Sequence, residues 1–155
     1  MPVPDFILDL RRKIGRDLLW LPGVTAVVVD DGSVLLVRRA DGGGWAPVTG
    51  ILDPGEQPAV GAEREVREET RVRARVQRLV SVTALEPVTH ANGDRAQYLD
   101  LTFRLQYVAG TAAVGDDESL DVRWFPLDDL PAMRPEALTR IEQAVPAEGD
   151  VRFVR

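Results

Sequence analysis

Between Gly50 and Val72 the chain reads GILDPGEQPAVGAEREVREETRV, so a glycine-containing loop carries Glu56 and, after seven further residues, Arg64-Glu65-Val66-Arg67-Glu68-Glu69 follows. Pro58 suits a first helical position, where its missing N–H would be unpaired in any case. From Ala59 to Thr70 no further proline interrupts, and Gly61 is the only weak helix former. At about 100° per residue, Ala59, Ala62 and Val66 form a narrow apolar stripe that can pack on a sheet. Glu65 and Glu69 lie about 40° apart beside that stripe, and Glu68 about 60° to the other side of Glu65. Three carboxylates therefore share one helix edge. Arg67 and Glu63 are expected to point to solvent, and Arg64 stands one turn before Glu68, within ion-pairing reach.

Like charges one turn apart destabilise a helix by a few tenths of a kcal/mol per pair and raise one another's pKa. A divalent cation removes the conflict. Mg²⁺ prefers oxygen ligands and commonly bridges protein carboxylates to substrate phosphates. Taken alone, EREVREE reads equally as a solvated face laced with Arg–Glu pairs. Gly50 and Glu56 at the stated spacing narrow the reading.

The whole pattern resembles the Nudix signature: glycine, five residues, glutamate, seven residues, then Arg-Glu-apolar-any-Glu-Glu. The resemblance implies that Glu65, Glu68 and Glu69 bind metal (Mg²⁺, with Mn²⁺ as a substitute), with the Gly50 carbonyl as a further ligand. It implies that Glu56 pairs with Arg64. It also implies hydrolysis of a phosphoanhydride bond in a nucleoside diphosphate derivative or a nucleoside triphosphate by water attack on phosphorus. A second reading is a silent Nudix-like domain that binds a nucleotide as a sensor.

Two departures stand out. Arg71 occupies the place of the family's glycine after the Glu-Glu pair. Glycine there ends a helix in the left-handed conformation; arginine would pay about 1 kcal/mol, which predicts a helix that ends differently or runs longer. Before the box, Trp45-Ala46-Pro47-Val48-Thr49-Gly50 keeps only the last glycine of the Trp-x-x-Pro-Gly-Gly found in many relatives.

Around the box, 155 residues suit one domain,. The expected division is an N-terminal helix over residues 1–20, packing on the domain or supporting a homodimer, and a single Nudix-like domain over residues 21–155. Cysteine is absent, which removes disulfides, thiol catalysis and cysteine-ligated zinc,. No N-terminal apolar run reaches the length of a signal peptide or membrane span, so a cytoplasmic home is expected. The net charge of −6 disfavours an extended nucleic-acid surface,; the partner expected is a small nucleotide or nucleotide derivative.

The helical pattern of Phe6, Leu10, Ile14 and Leu18 predicts a helix from Phe6 to Trp20. Strands are expected at Val24–Val29, Val34–Val37, Val76–Thr83, Tyr98–Tyr107 and Val122–Phe125, with Asp31-Gly32 as a hairpin turn. Pro131 and Pro135 introduce a C-terminal helix of about ten residues. This order fits the three-layer α/β/α sandwich with a mixed central sheet that the resemblance implies.

Outside the box, His90 sits in a polar loop and is a candidate for phosphate contact or proton transfer. Asp116-Asp117-Glu118 precedes the last strand, and Glu118 is the candidate general base or extra metal ligand. Arg38 and Arg39 end the second strand; one should face the site, and Arg39 is favoured as a phosphate clamp. Trp45 and Tyr98 are aromatics that can stack a base or fill the core.

Overall fold

The structure is a computed structural model and describes residues 3–155. Its spine is β1 (Leu19–Asp30), whose residues from Gly23 to Val29 are buried. Alternate side chains go to opposite faces: Val24, Ala26 and Val28 join one apolar cluster, Val27 and Val29 the other,. A strand buried on both faces reads as a continuous apolar run, which GVTAVVV is. At its end the chain reverses through Asp31 (φ 40°) and Gly32 (φ 74°) into β2 (Ser33–Arg39), the two left-handed residues that a tight hairpin needs. Short strands β3 (Gly44–Ala46) and β4 (Val48–Ile51) follow, then helix α2 (Pro58–Thr70). Beyond it come β5 (Arg73–Ala84), β6 (Val88–Thr89), β7 (Arg95–Ala109), β8 (Ser119–Pro126), helix α3 (Pro135–Ala144) and β9 (Arg152–Phe153).

The sheet is mixed, with main order β3-β2-β1-β7-β5-β9. The parallel β1–β7 pairing runs from Leu19↔Ala96 to Val29↔Gln106. β4 pairs antiparallel with the middle of β1, from Gly23 to Ala26, and β8 with β2. On one face α2 places Ala62 and Val66 against Val24, Ala26, Val28, Val48 and Leu105. On the other, α3 places Ile141 and Ala144 against Val27, Val29, Leu36 and Val80. The result is the expected α/β/α sandwich. Among the described residues no helix is long and apolar enough to cross a membrane.

The first helix differs from expectation. Helix α1 covers Asp5–Ile14 and stops at Gly15, φ 61°. Leu19 and Trp20 leave the helical pattern to pair with Ala96 and Gln97 in the sheet. Ile7 packs with Leu19, Leu21 and Ala96, and the Arg11 guanidinium donates to the carbonyls of Asp17 and Arg95, each at 2.6 Å. The short strands β3, β4, β6 and β9 carry too few residues for a period and went unassigned in the sequence.

The end of α2 also corrects an expectation. The helix neither runs on nor ends in another geometry: Arg71 takes the left-handed conformation itself (φ 61°, ψ 3°) and its N–H bonds the Arg67 carbonyl. Tertiary bonds hold it there, for Ala113 N–H donates to Thr70 O at 3.0 Å and Gly115 N–H to Glu69 O at 2.8 Å, while Val72 beyond is fully buried. Replacing Arg71 by glycine is therefore expected to raise stability by up to about 1 kcal/mol. Thermal unfolding would show this as a rise of roughly 2–4 °C.

Two polar devices tie α3 to the sheet. Arg104 Nη1 donates to the carbonyls of Ala144 (2.9 Å) and Val145 (2.6 Å), and Arg78 Nη2 to that of Gln143 (2.9 Å). These bonds satisfy helix-end acceptors that have no intrahelical partner. Beneath them the buried Asp100 carboxylate accepts from Thr25 Oγ1 (2.7 Å) and Thr102 Oγ1 (2.8 Å), with Arg140 Nε at 3.6 Å. Asp100→Ala would strand two buried hydroxyls and a cation, and a loss of about 2–4 kcal/mol in denaturant unfolding is expected.

Candidate active site

The site grows from the turn between β4 and α2. Arg64, on the first turns of the helix, reaches back to the loop: Nε and Nη2 donate to Glu56 Oε1 and Oε2 at 2.7 and 2.8 Å. The fork-on-fork geometry is the strong form of this pair. It holds the Glu56 carboxyl below the usual range and raises the arginine. The other side of the fork, Nη1, donates to Glu65 Oε1 (2.9 Å) and Glu68 Oε2 (3.1 Å). Gly61 makes the brace fit. A Cβ there would overlap Leu52 Cδ2 and stand 3.0 Å from Glu56 Oε2, so the weakest helix former in the box is where loop and helix touch.

Glu65 and Glu69 face inward, 2% and 4% exposed. Glu65 lies against Gly50, where any Cβ would overlap its carboxyl. Burial pushes Glu65 up to about 7 despite the pull of Arg64. Glu69 is pushed up to about 8, first by burial and then by Glu118, Asp116 and Glu65, and Ser119 Oγ, donating to Oε2 at 3.2 Å, only partly offsets this. Glu68 is the outer member, its side chain 40% exposed.

The loop before β8 completes the acidic group. Glu118 accepts from Ala40 N–H at 2.8 Å through its carbonyl, and its charge acts on Glu65, Glu69 and Arg39. Arg38 is exposed. Arg39 is half-buried, bonded to Thr49 Oγ1 (3.1 Å) and Asp41 (2.6 Å), and within the field of Glu69 and Glu118. The structure thus gathers Glu56, Arg64, Glu65, Glu68, Glu69, Glu118 and Arg39 along one flank of α2, beside Gly50. His90 makes no bond to that group among the described residues: its backbone N–H donates to Asp94 O, and Nε2 lies 3.4 Å from Tyr98 Oη. Trp45 is partly buried and packs against the core, edge-on to Phe125 at 4.8 Å.

A cleft of about 690 Å³ opens over the helix end, lined by Arg64, Arg67, Glu68, Arg71, Gly115, Asp116 and Asp117. Arg67 is exposed, as expected, yet it lines this cleft. Asp41, Ser119 and Gly115 escaped the sequence reading. A serine beside an acidic loop and a glycine between Val114 and Asp116 carry no periodic or spacing signal.

Among the described residues no three acidic or histidine side chains converge as a finished metal-ligand set; Arg64 holds the oxygens of Glu65 and Glu68 instead. The donor chemistry nonetheless fits a hard divalent cation. Carboxylates raised first by burial and then by one another's charge are what such an ion neutralises, and oxygen-only ligands are what Mg²⁺ prefers.

Fold and site define a Nudix-type α/β/α domain. The NUDIX domain model matches residues 20–146, and the chain belongs to the Nudix hydrolase family. It is similar to a MutT-like protein of Streptomyces ambofaciens, 36% identical over 104 residues that make up 67% of this chain and 62% of that protein. It is also similar to the NAD-capped RNA hydrolase NudC of Pseudomonas syringae pv. tomato, 32% identical over 114 residues, 72% of this chain and 38% of that enzyme. The matched stretch is thus less than two thirds of either relative's length. Among solved structures, a MutT NUDIX hydrolase from Burkholderia pseudomallei superposes with a TM-score of 0.61 at 27% identity, over 82% of this chain and 99% of that one.

Proposed function

We propose that the protein hydrolyses a pyrophosphate bond in a nucleoside diphosphate derivative or nucleoside triphosphate, with Mg²⁺ (or Mn²⁺) held by Glu65, Glu68, Glu69 and the Gly50 carbonyl. When bound, the cation supplies Lewis-acid stabilisation of the charge that builds on phosphate oxygens. The observation that carries the reading is the burial of Glu65 and Glu69 beside Glu118, an arrangement unfavourable for the protein alone and favourable with a dication.

The remaining roles belong to side chains. Glu56 and Arg64 lock loop to helix, so the carboxylates keep their spacing. Glu118, across from Glu69, takes the proton of the attacking water. Arg39, already oriented by Asp41, clamps a phosphate. His90 with Tyr98 forms a polar–aromatic pair suited to the nucleoside. All four box glutamates and Arg64 are present and braced, which supports turnover over silent binding. The relative's name brings NAD-like dinucleotides, which also carry a diphosphate, into the substrate class.

The test is phosphate release from nucleoside triphosphates, ADP-ribose, nucleotide sugars, dinucleoside polyphosphates and NAD, with Mg²⁺ or Mn²⁺ and with EDTA. An added phosphatase reports phosphomonoester products. Turnover that needs the cation is the expected result. Nucleotide binding without turnover across the panel would overturn the enzyme in favour of the sensor.

A further inference from the structure

We propose that Arg67 and Arg71 form a phosphate subsite on the rim of the cleft over α2, and that through it the enzyme prefers substrates with an anionic group beyond the scissile diphosphate. The inference rests on the hydrolase reading and names the substrate class of that same site. Both residues line the cleft beside Arg64 and Glu68. Among the described residues no carboxylate lies within ion-pairing distance of either guanidinium, whereas Arg64 is shared by Glu56, Glu65 and Glu68, Arg39 is held by Asp41 and Arg123 by Asp121. Among the described residues the side chain of Arg71 has one hydrogen bond, a long one of 3.4 Å from Nη2 to Gly115 O. Its backbone sits at φ 61°, a conformation that favours glycine,. An unfavourable residue kept at a cleft rim is grounds for seeking its use in the site.

The electrostatics point the same way. The cleft wall also presents Asp116, Asp117 and Glu68, the last already held by Arg64, so Arg67 and Arg71 are the wall's guanidiniums that no carboxylate engages among the described residues. Two guanidiniums four residues apart stand on one side of the helix. Like the glutamates within, they are unfavourable neighbours until an ion of opposite charge bridges them. A phosphate group does so, since the planar guanidinium donates two parallel N–H bonds to its oxygens. A triphosphate bound at the glutamates has such a group to offer; a nucleoside diphosphate joined to a neutral sugar does not.

The experiment compares steady-state kinetics of the wild type, Arg71→Gly, Arg71→Lys and Arg67→Ala on a nucleoside triphosphate and on a nucleotide sugar. Arg71→Gly relieves the backbone, so misfolding does not confound it. The expected result is a loss of about tenfold in the preference for the triphosphate, carried by KM. Arg67→Ala should act in the same direction, and lysine at 71 should recover part of the loss by retaining charge. Equal losses on both substrates, or a loss carried by kcat, would overturn the proposal and leave Arg71 as a support for the loop at Gly115. If the wild type turns over nothing, the hydrolase reading fails separately, and binding of inorganic tripolyphosphate then decides the subsite. Weakening of about tenfold in Arg71→Gly, together with sensitivity to salt, supports it; equal binding by wild type and variant overturns it.

Discussion

Glu69→Gln is expected to lower cation-dependent turnover by about 10²–10³-fold while making the protein more heat-resistant in EDTA at pH 8. The second half follows from the buried carboxyl. Its folded pKa of about 8 lies above the ordinary value near 4.3, so the folded chain holds this proton more tightly than the unfolded one. The stability it confers is present at low pH and is lost as pH rises from about 4.3 through 8. Glutamine keeps the shape and an acceptor for Ser119 Oγ but never charges. The variant should therefore melt roughly 2–6 °C above wild type at pH 8, a gap that closes toward pH 5. Mg²⁺ should reverse the order at pH 8, because it stabilises only the protein that binds it. An unaltered rate would remove Glu69 from the cation site, and an unaltered melting temperature in EDTA would deny the burial cost.

Gly115→Ala should be the most damaging single-methyl change near the site. A Cβ there would overlap the Glu68 carbonyl oxygen and reach 3.0 Å from the Glu69 carbonyl carbon. Both are backbone, so no flexible side chain can yield. Gly115 lacks a positive φ; the cost is overlap and not torsion. Relief requires pulling the 113–115 segment off the end of α2, which breaks its bonds to Glu69 O and Thr70 O. A loss of about 2–4 kcal/mol is expected, or roughly 5–15 °C in melting temperature. Because the same loop carries Glu118, turnover should fall by about 10–100-fold even well below the new melting point. A variant that melts and turns over like wild type would show that the loop does not depend on this approach.

The α2 region was legible because everything it needs is local. A proline start, an apolar stripe and three glutamates on one edge depend only on the 100° step of a helix, and the structure adds the fold around them without moving them. The Asp31-Gly32 hairpin was legible for the same reason, since two adjacent left-handed residues are a property of the dipeptide. The N-terminal helix was misjudged in length because Leu18 continues a helical period that Gly15 had already ended, and because Leu19 and Trp20 answer to Ala96 and Gln97, far along the chain.

By itself, then, the sequence determined the acidic helix, its glycine loop and the chemistry those groups can support. Only the tertiary structure decided that Arg71 would adopt the glycine conformation, since bonds from Ala113 and Gly115 outweigh a local penalty of about 1 kcal/mol. It also decided which carboxylates are buried. Glu69 is raised by burial and then by Glu118 and Asp116, and Ser119 reaches it across fifty residues of sequence. Spacing within a helix tells which side chains share an edge; the neighbours that set their charge arrive from other strands, and only chain closure brings them there.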